Sequence, residues 1–195
     1  RGGIWQAFLA KYPESNIIYR KMLRVSRAIA AAESDPSSPL SAAELERARD
    51  LLYRGQCNCA YWHGLFGGLY MQHLRAALMA VLIEADNIVA PRAAPELSCT
   101  DHDGDLSDDL LFEGPELNLY VAPRLGGCAF ELDLRRAHHH LTGVIGRRFE
   151  AYHVDVHRAR VISDEDLDNV SAHDLVRAKE EGLGDKLFVD AAPRG

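Results

Sequence analysis

Residues 55–70 read GQCNCAYWHGLFGGLY and hold one Trp, two Tyr, one Phe, one His and four Gly in sixteen positions. Their spacing follows neither the 3.6-residue period of a helix nor the alternation of a strand. Flat rings stack on the C–H faces of a sugar, while Asn, His and Tyr hydrogen-bond its hydroxyl rim. Asn58, Tyr61, Trp62 and His63 supply both kinds of group and are the candidate substrate-binding residues. Glycine would let main chain approach the same ligand. The competing reading is a buried turn, with Gly64, Gly67 and Gly68 permitting close packing and Trp62 and Phe66 filling the core. Zinc chemistry fits poorly. Cys57, Cys59 and His63 offer three ligands, but C-x-C is shorter than the usual knuckle and no fourth ligand follows in register. A Cys nucleophile with His63 as base lacks a third group to orient it.

A second constellation is DHDGD, residues 101–105. Asp101, Asp103 and Asp105 stand at i, i+2 and i+4 around Gly104, a pattern that can wrap a hard cation with oxygens; Asp108 and Asp109 are later acids by position. Two readings stand, a structural calcium and a solvated acidic turn; no cofactor is required by either. His138, His139 and His140 are consecutive, so on a strand they alternate faces and do not converge on one ion. They read as surface or interface residues. In AYHVDVH, His153, Asp155 and His157 would share one strand face, a weak metal or proton-relay pattern against a plain polar face.

The elements that must position these groups fall into two textures. In residues 14–33, Ile18, Met22, Val25, Ile29 and Ala32 are spaced 4, 3, 4 and 3, one apolar stripe on a helix. Pro13 ends the short helix before it. SDPSSP (34–39) is a linker, and Ser41 with Glu44 three residues on predicts a capping box. The helix it opens carries Leu45, Ala48 and Leu52, with Gly55 expected as its C-terminal cap. Leu74, Leu78, Val81 and Ala85 predict a further helix within 69–86. Residues 1–90 therefore read as a helical bundle.

APRAAP (90–95) marks a boundary. Leu117, Leu119 and Val121, then Cys128, Phe130, Leu132 and Leu134, alternate with other residues on either side of APRLGG, which predicts a hairpin; Leu110 and Phe112 belong to a strand before it. Residues 97–162 read as antiparallel β, and 171–181 as a short surface helix closed by Gly182. The fold class is α+β and multidomain: a helical bundle (1–90), then the N-terminal part of a β-sandwich domain (97–195).

Bulk properties narrow the partners. Of 195 residues, 47% are hydrophobic and the formal net charge is −7. Residues 1–90 hold ten Lys and Arg against eight acids, whereas residues 91–195 hold twelve against twenty-one. That acidic half argues against nucleic acid, which needs clustered cations. No apolar run reaches the roughly 18–20 residues of a membrane span. Four scattered Cys make no disulfide scaffold, so a reduced cytoplasmic setting is the expectation. The chain opens in the middle of a helical pattern and reads as a piece of a longer protein.

GQCNCAYWHGLFGGLYMQHLR (55–75) resembles the signature in the helical region of glycoside hydrolase family 57, the α-amylase and 4-α-glucanotransferase group. WQAFLAKYPESN (5–16) is similar to the segment that follows that family's catalytic barrel. ELNLYVAPRLGGCAFELDLR (116–135) and RRFEAYH (147–153) resemble the start of its C-terminal β-sandwich, and SAHDLVRAKEEGL (171–183) a later part of it. The resemblance covers nearly the whole chain. It implies a retaining enzyme on α-1,4-glucans, in which a Glu attacks the anomeric carbon, an Asp protonates the leaving oxygen, and water or a second glucan resolves the glycosyl-enzyme. Both carboxylates are implied to lie on an N-terminal barrel upstream of residue 1, so no catalytic residue is assigned here. Trp62 is implied to stack on a glucose ring of a maltooligosaccharide, with Tyr61 and His63 on its hydroxyls; Asn58 either joins them or caps the loop. The partners implied are α-1,4-glucans and the barrel of the same polypeptide, with neither nucleic acid nor membrane. The alternative is a standalone carbohydrate-binding or structural module without catalysis.

Overall fold

The computed structural model describes residues 4–62, 67–146 and 148. His63, the strand reading around His153, Asp155 and His157, and the helix reading at 171–181 lie outside the described residues. The chain divides into two compact units, 1–144 and 145–195, and every element below belongs to the first.

Four helices come first. α1 spans Trp5–Lys11, α2 Pro13–Ser34, α3 Ala42–Gly55 and α4 Gln72–Val89. Pro13 is the first residue of α2, where its missing N–H costs no hydrogen bond. The capping box forms as expected: the Glu44 N–H donates to Ser41 Oγ at 3.3 Å, and the Ser41 N–H to Glu44 Oε2 at 2.8 Å. Ile18, Val25 and Ile29 of α2, Ala48, Leu51 and Leu52 of α3, and Leu78, Met79, Leu82, Ile83 and Ala85 of α4 share one buried cluster. The buried face of α4 is wider than the predicted stripe because α4 meets α2, α3 and the sheet at once.

Gly55 differs from expectation. It is the last residue of α3 and not its cap, which is Gln56. A Cβ at Gly55 would lie 2.5 Å from Leu82 Cδ2, so glycine here lets α3 approach α4.

Five strands follow as an antiparallel sheet in chain order: β1 Glu96–Thr100, β2 Asp109–Glu113, β3 Leu117–Ala122, β4 Cys128–Leu134 and β5 His139–His140. The predicted β3–β4 hairpin turns through a 3-10 segment, Pro123–Leu125, and then Gly126 and Gly127 at φ 72° and 79°. A change of texture at 90–95 marks where helix gives way to strand, but packing continues across it, since helices and sheet form one compact unit.

The two faces of the sheet have opposite chemistry. Cross-strand neighbours Leu111, Tyr120 and Glu131, with Asn118 and Asp133 in the next row, are buried. They lie on the side carrying the contacts to α2. The other side presents Leu97, Leu110, Phe112 and Leu134, all exposed by a third or more, with Leu119 and Leu132 between them. Alternation defines two faces but not which of them the helices cover.

Candidate functional site

The aromatic loop begins where α3 ends. A 3-10 turn over Asn58–Ala60 leads into Tyr61, whose main-chain carbonyl accepts from the buried Ser15 hydroxyl of α2. The chain returns through Gly67 (φ 106°) and Gly68 (φ 52°) into a second 3-10 turn, Gly68–Tyr70. The Leu69 N–H donates to the Trp62 carbonyl at 2.9 Å, tying the two limbs together. Arg75 of α4 clamps the return limb, donating from Nη1 to the Leu69 carbonyl and from Nη2 to the Gly143 carbonyl at 2.9 Å. α2 thus holds the main chain at Tyr61, and α4 holds it at Leu69.

The predicted residues separate within this frame. The Trp62 side is open, with the residue 47% exposed. Asn58 is exposed as well, its Oδ1 3.5 Å from Cys59 Sγ. Tyr61 requires a correction. It is buried in the bundle core, and its hydroxyl donates to the Gly55 carbonyl at 2.6 Å. Burial holds that phenol well above its ordinary pKa. Tyr61 therefore anchors the loop from below, and its hydroxyl is not offered to a ligand. Neighbouring ring residues part in this way because the loop turns between them: a nonperiodic stretch gives no rule for which ring points inward. Cys57 and Cys59 are free and exposed.

The acidic turn also differs from expectation. Among the described residues, the carboxylates that approach one another are Asp101, Asp103 and Asp109, with oxygens within 4.8 Å; Asp105 is not one of them. Asp105 accepts from the Ser107 N–H at 2.8 Å and lies 3.6 Å from Arg124. Asp101 accepts from the N–H groups of Gly104 (2.7 Å), Asp105 (3.1 Å) and Leu106 (3.1 Å), and Asp109 from those of His102 (3.1 Å) and Asp103 (3.4 Å). Burial and neighbouring acids raise the Asp103 pKa, and burial raises that of Asp109. Backbone N–H donors from within the turn converge on Asp101 and Asp109.

A third cluster has no counterpart among the predicted site residues. Lys21 of α2, fully buried, donates to Glu131 Oε1 at 2.7 Å and to Asp133 Oδ2 at 2.6 Å. His140 Nδ1 lies 2.8 Å from the other Asp133 oxygen. Burial disfavours the Lys21 charge, but Asp133 and Glu131 outweigh it and hold the ammonium well above its ordinary pKa. Burial raises Asp133, yet Lys21 and His140 prevail and keep it ionised. For Glu131 burial wins, and its carboxyl is held well above the usual range. Glu131 Oε2 and His102 Nε2, 4.0 Å apart, are both buried and have no hydrogen-bond partner among the described residues. Beside this cluster, Arg24 donates to Glu113 and Tyr120, and Arg92 bridges Glu113 (2.7 Å) to Asp86 (3.1 Å). Arg135 reaches Asp86 at 2.7 Å. The histidine run is thus split: His140 belongs to the buried cluster, and His139 is exposed.

Two family descriptions match in tandem: "Alpha-amylase/4-alpha-glucanotransferase, middle domain" over residues 3–89, and "Alpha-amylase/4-alpha-glucanotransferase, C-terminal" over residues 101–195. The chain belongs to the α-amylase/4-α-glucanotransferase family. Within that family it is 40% identical to Alpha-amylase 1 of Dictyoglomus thermophilum over 97% of its own length and 26% of that protein's. It is 34% identical to the 4-alpha-glucanotransferase of Thermococcus kodakarensis, over 98% of the chain and 26% of the relative. The crystal structure of the 4-alpha-glucanotransferase of Thermococcus litoralis superposes with a TM-score of 0.65 at 35% identity, covering 85% of this chain and 22% of that one. The chain spans about a quarter of the length of the curated relatives it matches. The middle-domain match contains the aromatic loop, and the C-terminal match contains Glu131, Asp133 and His140. The buried cluster therefore joins the two matched regions of this family member through Lys21.

Proposed function

We propose that this chain is the non-catalytic, glucan-handling portion of a retaining enzyme acting on α-1,4-glucans, either a 4-α-glucanotransferase or an α-amylase. The observation that carries the reading is the outward Trp62 indole, next to a Tyr61 main chain that α2 holds and a Leu69 main chain that α4 holds. An exposed indole offers a flat apolar surface on which the C–H face of a glucose unit stacks. Asn58 and His63 are the rim donors and acceptors in this reading. The nucleophile and acid belong to a catalytic barrel elsewhere in the same polypeptide, and the substrates are maltooligosaccharides in the cytoplasm. Relatives bearing both activity names, matched over a quarter of their length, support an enzyme portion over a standalone module. No helix among the described residues is long and apolar enough to cross a membrane. The acidic turn, already held by its own N–H donors, is a structural turn in this reading, and no cofactor enters.

Replacing Trp62 by Ala in the complete enzyme tests the proposal. Activity on maltodextrins should fall about tenfold or more, roughly 1.4 kcal/mol of lost stabilisation, with the melting temperature unchanged. Unchanged kinetics would remove the ring from the substrate path. Tyr61→Phe is the internal contrast: it should lower thermal stability and leave the kinetics alone.

A further inference from the structure

A cleft of about 290 Å³ opens between α2 and β1, away from the aromatic loop. We propose that it is an oxyanion site for a phosphate ester of monosaccharide size, held by the guanidiniums of Arg20 and Arg27 and the hydroxyls of Ser98 and Thr100. Arg20, Arg24 and Arg27 stand at i, i+4 and i+7, so one helix face carries all three. Ser98 and Thr100 alternate on β1 and share the strand face that looks toward them. Both groups come from regular elements and not from a loop.

The cleft carries unspent positive charge. Glu113 is paired with Arg24 and Arg92, so Arg20 and Arg27 stand against one further lining carboxylate, Asp101. Arg20 donates only to Asn16 Oδ1, at 3.3 Å, and Arg27 has no ion pair among the described residues. Ser98 and Thr100 are exposed, and their hydroxyls have no partner among the described residues. The Arg20 guanidinium is also placed: a Cβ on Gly104 would stand 1.9 Å from its Nη2, and Gly104 has φ 79°. Only glycine leaves that room at that backbone angle. His102 lines the same cleft, and its imidazole is pushed down to about 3 by burial and by the charges of Arg24, Lys21 and Arg20.

Two guanidinium forks and two hydroxyls match the several acceptor oxygens of a phosphoryl group. Leu23 and Leu111 give the cleft an apolar floor, and its volume is at the small end of ligand sites. That size suits a sugar phosphate better than a nucleotide. The site is independent of the glucan reading, since it shares no residue with the aromatic loop.

The test is calorimetry on the complete polypeptide with inorganic phosphate, glucose 1-phosphate, ATP and glucose as separate probes. Glucose 1-phosphate should bind, inorganic phosphate more weakly, ATP no more tightly than glucose 1-phosphate, and glucose not at all. Affinity should fall with added salt. Arg20→Ala with Arg27→Ala should weaken binding about tenfold or more, the scale of one lost charge-assisted contact. Arg47→Ala, an exposed arginine on α3, should not. Glucan activity read in parallel separates a failure here from a failure of the Trp62 proposal. The site is refuted by no binding of glucose 1-phosphate up to about 10 mM, by equal binding of glucose, or by undiminished binding in the double variant with its melting temperature intact.

Discussion

The bundle interior and the helix–sheet seam share two helices and use opposite chemistry. On α2, Ile18, Val25 and Ile29 enter the apolar cluster, while Lys21 and Arg24, offset around the same helix, enter the sheet face. On α4, Leu78, Leu82 and Ile83 face the bundle, and one turn on, Asp86 and Asn87 bind Arg135. An apolar contact tolerates small shifts in register. A buried ammonium does not, because Lys21 reaches both Glu131 and Asp133 only where it now stands. The bundle supplies burial, and the seam fixes how the helical layer sits on the sheet.

The largest effect that could break this comparison is at Lys21. Lys21→Met leaves the buried, ionised Asp133 without its ammonium partner and Glu131 without its donor, and should cost about 3–5 kcal/mol, read by chemical unfolding of the complete polypeptide. Adding Glu131→Gln and Asp133→Asn should recover most of the loss, because the uncompensated charge is then gone. Leu82→Ala in the bundle should cost about 2–5 kcal/mol through a cavity, and no charge substitution should restore it. A Lys21→Met loss well under 1 kcal/mol would mean that the seam is wet and the comparison false.

Protonation gives a second, smaller separation. Glu131 has a folded pKa raised toward about 8, above its ordinary carboxylate value, so the folded state holds a proton that the unfolded state releases. Stability then falls as pH rises from the unfolded carboxylate value toward 8. His102 works the other way. Its folded value, about 3, is below the unfolded one, so its contribution is present at high pH and lost as pH falls from about 6.5 toward 3. Asp133, held low, adds a loss at acid pH below its unfolded value of roughly 3.9. Lys21 and Tyr120 face the same cluster, and both are held above their ordinary values, beyond this pH window. The melting temperature should be flat between about pH 4.5 and 6.5, fall toward pH 8, and lose that alkaline fall in Glu131→Gln. A wild-type melt that rises from pH 6.5 to 8 would contradict the buried Glu131.

Much of the bundle was legible in the sequence, since a 3.6-residue stripe names its own buried face: Ile18, Val25 and Ile29 are buried as the stripe requires. The capping box at Ser41 and the β3–β4 hairpin were legible for the same reason, being set by residues close in sequence. The seam was not. A Lys at the border of an apolar stripe reads as snorkelling to solvent until a partner more than a hundred residues away is brought to it. In FELDL, alternation separates Glu131 and Asp133 from Phe130 and Leu132 without telling which pair the helices cover. At the loop, the residue types announced a ring-rich surface, but only the backbone path decides that Trp62 faces out and Tyr61 faces in.

Two glycines provide the finest test, one in each region. Gly55 is required for space: its φ is ordinary for a helix, and a Cβ would strike Leu82. Gly55→Ala should cost about 1–3 kcal/mol by overpacking, and shortening the neighbour in Gly55→Ala with Leu82→Val should recover part of it. Gly126 is required for backbone shape: no atom lies within 4 Å of its would-be Cβ, but φ is 72°. Gly126→Ala should cost about 1 kcal/mol, from left-handed strain alone, and no neighbouring substitution should relieve it. Gly126→Asn should cost less than Gly126→Ala, because Asn tolerates that conformation. If Gly126→Ala were the costlier of the two alanine variants, the hairpin would be under more constraint than the bundle. The tighter fit would then belong to the sheet.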